Sequence, residues 1–361
     1  MAIITLGQID KKLIIVLFLI IWRAIDMIIS NEVSDEYTYS YISSLENEIG
    51  PILSGVILLF TLKQKQKEED KSKKSFKYIV FLLILRAIKY SYEKIYPYFI
   101  KEKQYKWNNI LNTTNGIEII LITFGTFLLL KYKYHIHHYI SMVIFFVLGI
   151  ISDFILESYS MMDYKYVYIY IIYIINEILI FCYSKYMMDK LYYQYMEIVL
   201  YWGITGLIVK LIIFSSLVIY EYVDNIDDSI LYKLYTYFKE TNIYIIIFYQ
   251  FFYNILHNGI YYVLVILIIY YLRPNHMIIT DAINVFLGNI FYKDRQNKYY
   301  TIIPFSFQLL ALLFYFEMLE FNFCGLNKNT AKNIQRREGK ENKLNNQFLE
   351  IMNNDDDNSN Y

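Results

Sequence analysis

Along this 361-residue chain, long apolar runs alternate with short clusters of charge. The runs fall near residues 12–30, 47–62, 77–93, 112–130, 139–157, 166–184, 196–220, 243–272, 277–292 and 300–322. A hydrocarbon layer of about 30 Å takes about 20 helical residues, and most of these runs have that length and polarity. The second and ninth are short. The eighth is long and carries Asn254, His257, Asn258 and Gly259 near its middle, which suits one tilted or kinked helix, since two spans need more residues than it has. The pattern predicts an all-α polytopic membrane protein with about ten transmembrane helices.

Composition agrees: 57% of residues are hydrophobic and 19% charged, which disfavours a soluble domain. With 34 basic and 34 acidic residues there is no basic excess to suggest nucleic acid as a partner. The lysine clusters instead mark topology. With the N-terminus cytoplasmic, "KQKQKEEDKSKK" (63–74), "KYK" (131–133), Lys185, Lys190, Arg273, Arg336 and Arg337 lie inside. Asp35, Glu36, Asp224, Asp227 and Asp228 lie outside, and only "KDRQNK" (293–298) breaks the rule. Both termini are then cytoplasmic. The first run, flanked by Lys11 and Lys12, reads as a retained span because no small-residue cleavage site follows and Arg23 and Asp26 interrupt its end. The 41 tyrosines suit membrane interfaces and are weak functional markers. Cys182 and Cys324 suggest neither a disulfide framework nor a zinc site.

Sliding the chain against itself by 163 residues sets Glu118 on Asp281 and Gly125 on Gly288, and lays spans 3 and 5 on spans 8 and 10. This implies two five-helix repeats. Five is odd, so the second copy enters the membrane inverted, as in secondary transporters whose substrate site lies near the midplane between the halves. The expected organisation is a cytoplasmic N-terminus (1–11), a first repeat (12–160), a second repeat (161–322) and a flexible polar cytoplasmic tail (323–361).

The stretch "ILNTTNGIEIILITFGTFLLLKYKYHIHHYISMVIFFVLGI" resembles the fourth helix, tight basic turn and fifth helix of the drug/metabolite transporter superfamily, which includes the nucleotide-sugar transporters. "YIIYIINEILIFCYSKYMMDK" and "YMEIVLYWGITGLI" resemble its sixth and seventh helices, and "FYNILHNGIYYVLVILIIYYLRPNHMIITDAINVFLGNIF" its eighth and ninth. "YYTIIPFSFQLLALLFYFEMLEFN" resembles its tenth, so the resemblance covers roughly residues 12 to 322. It implies a ten-helix carrier that moves a small polar organic solute, such as a nucleotide sugar or a phosphorylated metabolite, by alternating access. It also implies an endomembrane location ahead of the plasma membrane. A homodimer is compatible with it, because a dimer face would be as apolar as a lipid face.

The charges inside the spans carry the candidate chemistry, since a charge near mid-bilayer is costly without a role. By the resemblance, Glu118 and Asp281 face a central cavity from opposite halves, with the amides of Asn115 and Asn284 one turn away. The competing readings are a structural ion pair for Glu118, or interfacial placement of both acids. Arg23 and Arg86 share an Arg-Ala-Ile core and either bind an anionic solute group or serve the structure, Arg23 pairing with Asp26 and both reaching an interface. Lys89 is expected to snorkel outward. Asn176 and Glu177 lie well inside the sixth span, with Lys210 as a plausible partner for Glu177. Asn254 and His257 in the eighth either bind solute or join helices. His135, His137 and His138 form a headgroup-level turn without zinc spacing.

No P-loop, G-x-S-x-G, H-E-x-x-H or glycine-rich dinucleotide turn is present, so no catalytic residue, metal or cofactor is expected. The alternatives to a carrier are a non-transporting multi-span scaffold and, behind it, a membrane-embedded lipid-modifying enzyme. The expected partners are a small-molecule solute and membrane lipids.

Overall fold

A computed structural model describes residues 4–6, 14–32, 40–61, 74–92, 111–157, 167–223, 239, 244, 255–283, 298–316 and 319–321. Helices occupy nearly all of them: α1 (Ile14–Glu32), α2 (Ser40–Thr61), α3 (Phe76–Tyr90), α4 (Leu111–Leu130), α5 (Ile136–Glu157), α6 (Val167–Leu191), α7 (Tyr195–Val223) and α8 (Ile255–Tyr271). A single 3-10 turn, Pro274–His276, leads into α9, described over 277–283, and α10 is Lys298–Tyr315. Each helix falls on an apolar run of the sequence. The second is not short, because α2 begins seven residues before the run and reaches 22 residues. Two short strands, β1 (Ile4–Leu6) and β2 (Leu319–Phe321), pair antiparallel with Thr5 opposite Glu320 and bring the chain before α1 against the chain after α10.

Many large apolar side chains point outward while several charged ones are buried among the helices. Leu17 and Phe18 on α1, Phe124 and Phe127 on α4, Val143 on α5 and Ile212 on α7 are exposed, while Glu48, Arg86 and Lys210 are buried. Water selects the reverse arrangement. Among the described residues, Ile171–Leu191 and Tyr195–Tyr220 are long and apolar enough to cross a membrane.

Glycines allow the closest helix approaches, as in bundles whose backbones must touch. A Cβ at Gly50 of α2 would meet the backbone nitrogen of Gly259 of α8 at 2.6 Å. One at Gly55 would meet the Leu200 backbone nitrogen of α7 at 2.8 Å. Consequently α2 lies in a groove between α7 and α8.

Four connections gather at one end of the bundle. Lys74 pairs with Glu197 at 2.6 Å, and the Tyr193 hydroxyl bonds the backbone of Ser75, tying the approach to α3 to the α6–α7 turn. Glu197 also accepts from the Gln194 backbone N–H at 2.8 Å, the reciprocal half of a capping box at the start of α7. Arg273 lies 4.8 Å over the Tyr132 ring, joining the α8–α9 and α4–α5 turns. Asn275 is buried there and donates to the hydroxyls of Tyr315 at 2.6 Å, Tyr134 at 3.1 Å and Thr123 at 3.3 Å.

Two of these turns use a non-glycine residue in the left-handed region. Lys131 has φ 56° and Tyr192 φ 58°, and each is followed by a backbone N–H that reaches six residues back, to Thr126 and Met187. This is a left-handed helix C-cap, where glycine avoids a steric cost of about 1 kcal/mol. Lys131→Gly is therefore expected to raise stability by about 0.5–1 kcal/mol, seen as a higher unfolding temperature of the purified protein. A lower temperature would show that the Lys131 side chain does something the turn needs.

Candidate functional site

Two groups of charged side chains sit at similar depth inside the bundle. Glu118 lies twelve residues before the end of α4 and Glu177 fourteen before the end of α6. At 1.5 Å per residue these are about 18 and 21 Å from the end where the connections gather. Glu48 and Lys210 lie about 20 and 22 Å from it along α2 and α7 by the same reckoning.

The first group is dry. The Arg86 guanidinium of α3 donates to Glu48 Oε2 at 2.6 Å, and Lys210 Nζ pairs with Glu48 Oε1 at 2.7 Å. The Tyr90 hydroxyl donates to the same Oε1 and accepts from Arg86. The guanidinium also lies over the rings of Tyr90 and Trp202, at 4.9 and 5.4 Å. Side-chain exposure is 0% for Glu48, 2% for Arg86 and 9% for Lys210. The sequence permits this through Gly206 of α7, where any Cβ would strike both the Glu48 carboxylate and the Arg86 guanidinium. One carboxylate holding two cations gives the group a formal charge of +1.

The second group is less tightly enclosed. Arg23 of α1 binds Asp281 of α9, and Lys89 of α3 binds Glu177 of α6 at 2.7 Å. These side chains keep 29%, 27%, 18% and 27% of their surface in that order, although each lies within the helix bundle. Glu118 is half-buried on α4, within the field of all four charges, and makes no ion pair or hydrogen bond among the described residues. Arg23 lies 5.2 Å over the Tyr261 ring and Lys89 5.6 Å over the Tyr173 ring. Three acids and two cations give a formal charge of −1.

Asp281 reaches this depth because the turn before it is sunk into the bundle. Asn275, Met277, Ile278 and Thr280 are all at most 1% exposed, so α9 starts inside rather than at the surface. Asp281 therefore meets Arg23 inside the bundle, four residues into α9.

The structure thus brings together Glu118, Asp281, Arg23 and Glu177 from the candidates and sends Arg86 to the dry group. Asn176 is buried and donates to the Leu85 carbonyl at 2.9 Å, joining α6 to α3. The buried His257 ring stacks on Trp22 at 5.4 Å, and the Trp22 indole donates to the His257 carbonyl at 3.2 Å, joining α8 to α1. Asn254 and Asn284 lie outside the described residues, and for Asn115 only the helical backbone is described.

One expected pairing is replaced and another gains a distant partner. Glu177 is bound by Lys89 rather than by Lys210, which belongs to Glu48, and Lys89 therefore turns inward instead of snorkelling. Arg23 is bound by Asp281, far away in sequence, while the side chain of Asp26, its expected intrahelical partner, lies outside the described residues. His137 and His138 are buried in the first turn of α5, with the His138 ring edge-on to Tyr315 at 5.1 Å. No group of three metal-ligating side chains occurs among the described residues.

Sequence reasoning missed Glu48 and Tyr90. Glu48 stands at the edge of the apolar run of α2, where an acid looks interfacial. Gly50 and Gly55, with Gly203 and Gly206 on α7, were the available signal that this edge is packed. No protein-family model and no curated protein matches the chain.

Proposed function

We propose that the chain is a multi-pass membrane carrier that moves a small polar organic solute by alternating access between two inverted five-helix halves. The observation that carries this reading is the less tightly enclosed charged group at mid-depth. Its two ion pairs, Arg23–Asp281 and Lys89–Glu177, both join α1–α5 to α6–α10. Pairs that bridge the halves can break and reform as the halves rock, and intramembrane charges mark solute pathways.

The packing supports inverted repeats. Exchanging helix n with helix n+5 returns the pairs α2–α7 and α5–α10 to themselves. The same exchange turns α1–α8 into α6–α3 and α2–α8 into α7–α3, and all four contacts occur. The β1–β2 pairing supports an even number of crossings, because it holds the two ends of the helical region together. The end where the connections gather carries Lys74, Lys131, Lys133, Lys190 and Arg273, which supports a cytoplasmic assignment for it. We further propose an endomembrane location, with the termini on that side.

The dry Glu48 group is what a non-transporting scaffold predicts, but its ion pairs among the described residues join α2 to α3 and α7 and leave the Glu118 group unaccounted for. The test is solute exchange in proteoliposomes preloaded with nucleotides, nucleotide sugars, amino acids and organic phosphates. Saturable exchange of one class is expected, falling at least about 10-fold in Glu118→Gln and Asp281→Asn, as loss of a charged contact implies. A parallel experiment replaces Cys182 and Cys324 by Ala and introduces Glu118→Cys. Labelling at that position by a membrane-impermeant thiol reagent is expected. No exchange together with no labelling would turn the reading to the scaffold.

A further inference from the structure

We infer that the solute taken by the Glu118 group is an organic cation, bearing a protonated amine or guanidinium, and not a phosphorylated anion. The inference rests on the carrier reading for transport, but its binding step stands on the charge arrangement alone.

In the less tightly enclosed group both cations are spoken for. Arg23 holds Asp281 and Lys89 holds Glu177, which leaves Glu118 as the one acid of the three without a contact partner among the described residues. An entering phosphate would have to break one of these pairs and add negative charge beside three carboxylates. An entering ammonium meets a carboxyl group that makes no ion pair or hydrogen bond among the described residues, and brings the formal charge of the group from −1 to zero. Charge-assisted contacts of this kind are strong where water is scarce.

Arg86, which the sequence offered as an anion binder, is bound to Glu48 and almost fully shut from solvent. The +1 charge of that dry group has a second consequence. Counted together, Glu48, Glu118, Glu177 and Asp281 balance Arg23, Arg86, Lys89 and Lys210. The formal charges of the two groups thus sum to zero, and Glu118 is not covered at contact among the described residues.

The experiment measures binding to the purified full-length protein by titration calorimetry. The probes are tyramine, putrescine and arginine on one side, and glucose 6-phosphate and UDP-glucose on the other. At least one amine is expected to bind saturably, on the order of 10- to 100-fold more weakly to Glu118→Gln, with most of the affinity kept in Glu118→Asp. Phosphates are expected not to bind. Phosphate binding, amine binding indifferent to Glu118→Gln, or no amine binding to a protein that melts cooperatively would each overturn the inference. Failure here is separable from failure of the carrier reading. Phosphate exchange in proteoliposomes would keep the carrier and remove the cation, and amine binding without exchange would do the opposite.

Discussion

Replacing Glu48 with leucine is expected to leave a protein that barely folds. The carboxylate accepts from Arg86, Lys210 and Tyr90 at once, and its removal strands two cations in a space from which solvent is excluded. Breaking a buried pair on one side costs about 3–5 kcal/mol, because the remaining charge keeps its desolvation penalty and loses its compensation. Here two charges are stranded, so the effect belongs at the upper end of that range. The check is the unfolding temperature and monodisperse yield of the purified variant. A second variant separates charge from packing: Glu48→Leu combined with Arg86→Leu and Lys210→Met removes every charge of the group. Apolar replacement of a whole buried ionic group is often neutral or stabilising, so the triple variant should recover much of the loss. If the single variant melts like the wild type, the Glu48 group is not the lock described here.

The helices were legible in the sequence because an apolar run of about 20 residues needs no partner to be recognised. Each of α1 to α10 falls where a run predicts it, and even the offset of α2 is a matter of where its polar first turns begin. Contacts were legible at one place. The shift that set Glu118 on Asp281 came from internal similarity, and both residues lie in one charged group. Which cation goes with which acid was not legible. Lys210 and Lys89 both lie on apolar helices near Glu177 in span order, and the choice between them depends on helix rotation. An approach through Gly206 brings Glu48 under Lys210, and Lys89 is left to Glu177. Asp281 posed a related problem: four residues into its helix it reads as a capping residue, and only the burial of the Asn275 turn carries it to the depth of Arg23.

Gly50→Ala is the second change expected to do severe damage, and it tests the packing rather than the charges. Helix propensity alone predicts the opposite sign, since alanine in a helix interior is favoured over glycine by about 1 kcal/mol. At Gly50 the new methyl would meet the Gly259 backbone nitrogen at 2.6 Å and the Ile255 carbonyl oxygen as well. Neither atom belongs to a flexible side chain, so α2 and α8 must move apart. Overpacking of a close contact costs about 1–3 kcal/mol and more when the backbone has to shift. Separation here also withdraws Glu48, two residues away, from Arg86 and Lys210. A net loss above about 3 kcal/mol is expected, read as a large drop in unfolding temperature. Gly125→Ala supplies the control. Its methyl would meet only the side-chain ends of Ile178 at 3.3 Å and Cys182 at 3.4 Å, which can yield by a few tenths of an ångström. There the propensity gain and the crowding offset each other, and the temperature should change by little. Equal effects at the two glycines would mean that α2 does not approach α8 as closely as Gly50 and Gly259 imply, and the groove that positions Glu48 would lose its basis.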